Sequence, residues 1–150
     1  MKTLALLLCL FYSHVIVAQA TVESFAEKID FSVENVTICT ERSGVTVEEL
    51  EDVEKQALEN GEKNVSEDMK KIGCFWACLM QQQGAMTGST INGDQMTKYI
   101  RKFGEKYGDE DINSDLDKLV EDCANSVKDI DDECQAIMSF HMCTANSRSP

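Results

Sequence analysis

Beyond residue 20 the chain has no apolar run approaching the roughly 20 residues of a membrane-spanning helix, which excludes a transmembrane anchor there. Basic residues are scarce: 14 Lys and Arg stand against 27 Asp and Glu, a formal net charge of -13. Such a surface repels phosphate backbones and anionic headgroups, so neither nucleic-acid binding nor membrane insertion is expected. Histidine is scarcer still, with two in the chain and only His141 after residue 20. With no pair of Cys-x-x-Cys knuckles to accompany it, a zinc site lacks ligands. Internal repeats and low-complexity tracts are absent, and 150 residues correspond to one domain, too small for a conventional two-domain enzyme.

The N-terminus has its own pattern. Lys2 precedes an apolar run from Leu4 through Phe11, and Ala18-Gln19-Ala20 has the small-x-small form of a cleavage site. Residues 1–20 therefore read as a secretory signal peptide and residues 21–150 as one mature domain, which has six cysteines and a formal charge of -14 once Lys2 and Cys9 are gone. In an oxidising compartment, six cysteines point to three disulfides rather than to buried thiols.

Catalysis lacks a constellation. Carboxylates are abundant, but nothing in their spacing sets up a pair with divergent proton affinities, and a lone histidine without a nucleophile makes no triad. A secreted histidine-dependent phospholipase would need a calcium loop and a histidine beside a cysteine pair, and neither is present. The alternation Asp109, Asp111, Asn113, Asp115 resembles the start of a calcium loop. Ser114 stands where the sharp-turn glycine belongs, however, and Val120 where the bidentate glutamate belongs, so a capped turn is the better reading. No enzyme activity, cofactor or metal is expected.

Hydrophobic periodicity predicts helices along the whole mature chain. Val22, Phe25, Ile29, Val33 and Val36 recur at helical intervals, with a break near Asp30 and a short extended stretch through Phe31, Val33 and Thr37 as the alternative. Thr46 and Glu49 form a capping box ahead of Leu50, Val53, Ala57 and Leu58, and Gly61 offers a stop. Ser66 caps a helix with Glu67 and Asp68 in its first turn, an apolar face of Met69, Ile72, Phe75, Trp76, Leu79 and Met80, and a wet end at Gln81 to Gln83. Met96, Tyr99, Ile100, Phe103 and Tyr107 mark the next helix. Ser114 and Asp117 cap one bearing Leu116, Leu119, Val120, Cys123 and Val127, and Asp131 starts the last, with Cys134, Ile137, Met138, His141 and Cys143. Two glycosylation sequons occur, Asn35-Val36-Thr37 and Asn64-Val65-Ser66.

Cys74 and Cys78 are four apart and share one helix face, so each should bind a different partner. The full mature spacing is Cys39-x34-Cys74-x3-Cys78-x44-Cys123-x10-Cys134-x8-Cys143. It resembles that of the insect odorant-binding and pheromone-binding proteins of the general secreted six-cysteine type. The x3 and x8 intervals carry the resemblance, together with the leader, the acidity and the helix count, and it covers essentially the whole mature chain. The first and third intervals are longer than in many members, implying a longer early connection and an expanded loop around Gln81 to Asn92.

By implication of that resemblance, Cys39 pairs with Cys78, Cys74 with Cys134, and Cys123 with Cys143. The implied fold is all-α: a compact disulfide-linked bundle of about six helices enclosing an apolar cavity. A hollowed core gives up packing contacts, and disulfides contributing roughly 2–4 kcal/mol each would let the cavity survive.

Aromatic and methionine side chains suit such a cavity because they combine large apolar faces with adaptable shape. The ligand-binding candidates are Phe75, Trp76, Leu79, Met96, Ile100, Phe103, Leu119, Ile137, Met138 and Phe140, with ordinary core packing as the alternative for each. Phe75 and Trp76 are adjacent and cannot point the same way. Tyr99 or Tyr107 would supply one orienting hydroxyl. Acid release is a theme of related lepidopteran carriers, but here only Thr144 to Pro150 follows Cys143, too short for a cavity plug; His141 is either a pH trigger or a structural histidine.

The expected function is extracellular carriage of a small hydrophobic molecule, which the resemblance narrows to an odorant or pheromone. A chemosensory receptor would be the partner at delivery, and the setting an extracellular fluid such as sensillar lymph. A carrier of nonvolatile lipids outside olfaction and a secreted interaction module with a filled core are the alternatives, and a homodimer fits any of them.

Overall fold

A computed structural model describes residues 21–52, 67–107 and 115–147. The segment 1–20 read as a secretory leader, the positions Val53, Ala57, Leu58 and Gly61, the Asn64 sequon, the Ser66 cap, the Asp109, Asp111 and Asn113 run and the Ser114 cap lie outside the described residues. Within them the chain forms seven helices and one small hairpin: α1 (21–29), α2 (Val33–Ser43), α3 (described over 47–52), α4 (Glu67–Gln82), β1 (Met86–Thr87), β2 (Thr90–Ile91), α5 (Gly93–Tyr107), α6 (Leu116–Val127) and α7 (Glu133–Asn146). The architecture is an all-α bundle tied by three disulfides.

The continuous period from Val22 to Val36 is divided between two helices. Asp30 takes a left-handed backbone, φ 61°, which ends α1 and turns the chain; the extended alternative for Phe31, Val33 and Thr37 is not what forms. Ser32 then caps α2 by accepting the Asn35 N–H at 3.2 Å. Gly44, at φ 70°, ends α2 by donating its N–H to Thr40. The Thr46–Glu49 capping box forms reciprocally: the Thr46 N–H donates to Glu49 at 2.7 Å and the Glu49 N–H donates to the Thr46 hydroxyl at 3.2 Å.

Helices α4 and α7 form the centre, with α2 packed on α4 and α6 on both α5 and α7. Gly73 sets their separation. A Cβ there would stand 2.1 Å from the Cys134 carbonyl oxygen, so only glycine lets the two backbones meet. The neighbouring Cys74–Cys134 bridge accordingly spans a Cα separation of 4.2 Å. The other bonds join Cys39 to Cys78 and Cys123 to Cys143, the pairs implied by the family resemblance.

The expected loop between Gln81 and Asn92 contains structure that its length did not disclose. Met86 pairs with Ile91 and Thr87 with Thr90 around a Gly88-Ser89 turn, with Gly88 at positive φ. Met86 is buried, and the hairpin lies against α4 and α7. At the last helix, Asp132 rather than Asp131 is the cap, accepting the Gln135 N–H at 3.0 Å. Helix α7 also runs past Cys143 to Asn146, so the segment read as a polar tail begins as helix. At α6 the N-cap position is Asp115, which makes no side-chain capping bond.

One apolar core runs through every helix. Phe25, Val36, Leu50, Phe75, Leu79, Met80, Met96, Val120, Ile137 and Phe140 are essentially inaccessible within it. Among the described residues no helix is long and apolar enough to cross a membrane.

Candidate apolar site and a separate polar cleft

The eleven ligand candidates stand on α4, α5, α6 and α7. Phe75, Trp76, Leu79, Met96, Ile137, Met138 and Phe140 are buried in the common core, and Tyr99, Ile100 and Leu119 pack against it with part of their surface accessible. Phe103 is half-buried and joins through Tyr99, ring centroids 6.2 Å apart. Ten therefore belong directly to one apolar body, with Phe103 at its margin.

The aromatic rings form two groups. Phe75 meets Phe25 of α1 at 6.1 Å and lies edge-on to Trp76 at 5.3 Å; Trp76 in turn meets His141 edge-on at 5.7 Å. Although adjacent, Phe75 and Trp76 are both buried, because α4 is covered on more than one side. Phe25 is not one of the eleven ligand candidates, although in the sequence it is one of the aromatics suited to a pocket wall and lies on the α1 period. The second group, Phe31, Tyr99, Phe103 and Tyr107, joins the α1–α2 corner to α5, with Phe31 and Tyr99 at 5.5 Å and Phe103 and Tyr107 at 4.7 Å.

The two tyrosines proposed to orient a ligand differ. Tyr107 is 51% exposed and its hydroxyl donates to the Lys28 carbonyl, which makes it a surface clamp. Lys106 likewise donates to the Glu27 carbonyl, and Lys102 pairs with Asp30 at 2.5 Å. The Lys102 hydrogen bond holds the Asp30 carboxyl below its ordinary range. Tyr99, by contrast, is half-buried beside Phe31 at the edge of the core.

His141 lies between Trp76 and its own neighbour Phe140, and burial pushes its imidazole down to about 4. It is therefore neutral at physiological pH, while part of its surface stays accessible.

Away from these residues, a cleft of about 550 Å³ opens between β2, the first turns of α5, and α6. Its walls are Ile91, Asn92, Gly93, Asp94, Thr97, Asp117, Glu121, Ala124 and Asn125, none of them among the eleven candidates. Sequence reading missed it because these residues come from β2, the start of α5 and α6, which only the fold brings together. No group of three or more His, Cys, Asp or Glu among the described residues is placed to hold a metal ion.

Comparison with known proteins bears on the whole chain. Residues 18–147 match the family model described as the PBP/GOBP family. Similar curated proteins include the "Pheromone-binding protein Gp-9" of Solenopsis nigella gensterblumi, 28% identical over 145 residues, covering 95% of this chain and 90% of that protein. The proteins of the same name from Solenopsis geminata and Solenopsis xyloni are each 26% identical over 145 residues, with the same coverage. No solved structure matches the chain significantly.

Proposed function

Because the chain belongs to the PBP/GOBP family, whose members are non-catalytic small-molecule carriers, we propose that it binds an odorant or pheromone in an apolar interior after secretion. The ligand would be captured from water, shielded during transit and released by exchange or opening, with no covalent bond made or broken. The observation that carries this reading is the margin of the core. Tyr99, Ile100, Leu119, Met142 and His141 are packed into or beside it yet keep accessible surface, and His141 is enclosed enough to be held neutral. Partly accessible side chains of this kind suit the wall of a hollow better than a close-packed centre. Phe103, Phe75, Trp76, Leu79, Met96, Ile137, Met138 and Phe140 would complete the contact surface. The names of the Solenopsis relatives favour a pheromone among the ligand classes.

Complete burial of Phe75, Leu79, Ile137 and Phe140 is the observation behind the second reading, a secreted interaction protein with a filled core. Titration of delipidated mature protein with an apolar fluorophore, followed by displacement with volatiles and fatty compounds, decides between them. Saturable uptake at about one site, reversed by selected competitors, is expected of the carrier. Folded protein that takes up no fluorophore saturably, or releases none to any competitor, would leave the filled-core reading.

A further inference from the structure

The cleft between α5 and α6 has the composition of a binding site different from the apolar core. Three carboxylates, Asp94, Asp117 and Glu121, border it, and no Lys, Arg or His is among its lining residues. Acidic side chains are common on this chain and alone would signify only a solvated face; Thr97 adds a separate observation. Its side chain is 5% exposed, and among the described residues it makes no hydrogen bond. Every inaccessible side-chain nitrogen or oxygen among the described residues has a partner, so the Thr97 hydroxyl keeps a small accessible surface, and Thr97 is one of the residues lining the cleft. A hydroxyl on a residue buried to this degree at the wall of an open volume offers a hydrogen bond that the protein leaves unused.

The surroundings define the chemistry of the missing partner. The carboxylates select a cation. They do not converge into a metal-binding group, so the charge is better matched by an organic ammonium than by a bare metal ion. Asp117 is partly engaged by Arg101 at 3.5 Å, an exposed pair of small energetic weight, while Glu121 has no ion-pair partner among the described residues. Ile91 and Ala124 supply apolar surface beside these polar groups, enough to receive a short carbon body. Asn92 is occupied as the α5 cap, accepting the Gln95 N–H at 3.3 Å, and so belongs to the frame.

We propose that the α5–α6 cleft binds a small primary ammonium compound with a short apolar body. Its ammonium group would be held by Glu121 and the Thr97 hydroxyl, and its carbon skeleton laid over Ile91 and Ala124. This site stands beside the apolar one and does not depend on the carrier reading.

The test uses folded mature protein with protonated 2-phenylethylamine as probe and neutral 2-phenylethanol as its uncharged counterpart, followed by calorimetry and amide chemical shifts. Saturable amine binding that weakens with added salt is expected, with the alcohol about tenfold weaker or worse and shifts confined to Ile91, Thr97, Glu121 and Ala124. Glu121→Gln and Thr97→Val should each weaken binding about fivefold or more, while Glu41→Gln on the distant α2 changes nothing. If Thr97→Val fails to fold, the exposed Glu121→Gln and a cleft-filling Ala124→Trp decide the question. Absence of saturable binding, equal affinity for the alcohol, an equal effect of Glu41→Gln, or shifts centred on Trp76 and α7 would each overturn the assignment.

Discussion

His141 holds the clearest residue-scale consequence. Folding lowers its pKa from 6.5 to about 4, so between those values the unfolded chain takes up a proton that the folded protein refuses. Its effect on stability is therefore constant above pH 6.5, becomes unfavourable as pH falls towards about 4, and levels off below. The total loss is up to about 3 kcal/mol, and His141→Asn should be free of it, as denaturant titrations of both proteins across that range would reveal. Trp76, the single tryptophan, lies 5.7 Å away, so its fluorescence in the parent protein should report the same protonation near pH 4. A pH trigger for release between 5 and 7 is not expected of this residue.

Gly73 is a second residue whose role depends on a neighbour far along the chain. Gly73→Ala gains helix propensity but drives a methyl group into the Cys134 carbonyl, and a backbone atom cannot rotate away. A net loss of about 2 kcal/mol is expected in chemical denaturation, the overpacking cost exceeding the propensity gain. A glycine inside a helical period was visible in the sequence. Its partner was not, because 60 residues separate the cysteines that mark the contact.

At the scale of elements, α7 depends on Asp132. That side chain caps the helix and also pairs with Lys70 of α4 at 2.6 Å, and the Lys70 hydrogen bond, assisted by the Gln135 N–H, lowers its pKa below 3.8. The stabilisation is present above the unfolded value and disappears as pH falls through the lower folded one. Asp132→Ala should therefore cost about 1 kcal/mol at neutral pH, and the difference from the parent should vanish in strong acid, as thermal melts at several pH values would show. Capping chemistry placed this start within one residue, since Asp131 and Asp132 are equivalent in composition and only backbone geometry chooses between them. The α1–α2 boundary was one of two readings, a break near Asp30 or an unbroken period, and the structure takes the break. Apolar spacing is uninterrupted across Asp30, and its left-handed turn is held by contacts with Lys102 and Tyr107 on an element more than 70 residues away. The hairpin escaped for a different reason, because strands of two residues carry no periodicity to read.

Across the whole molecule, the disulfides distribute mechanical responsibility unevenly. Cys74–Cys134 joins the two central helices across 60 residues, whereas Cys123–Cys143 joins α6 to α7 across 20. Replacing the first pair with alanines should cost about 2–4 kcal/mol and exceed the effect of replacing the second, because the longer closure restricts the unfolded chain more. Denaturant midpoints of the two double variants, with the remaining bridges intact, provide the comparison. Fluorophore uptake by the same variants would report whether the proposed apolar site needs the α4–α7 seam closed.

The features readable from residue order were local or compositional. Helical period, caps such as Thr46 with Glu49, the cysteine intervals and the apolar identity of the ligand candidates all follow from the order of residues within a few turns. Family membership was legible for the same reason, since cysteine spacing is a linear property. Tertiary structure decided which apolar faces became inaccessible and which kept surface, how closely α4 could approach α7 at Gly73, and where Asp30 turned the chain. It also gathered the buried Thr97 of α5 and the exposed Glu121 of α6 into one cleft. Those outcomes depend on residues distant in sequence meeting in space, and the energies that select them belong to the contacts, not to either segment alone.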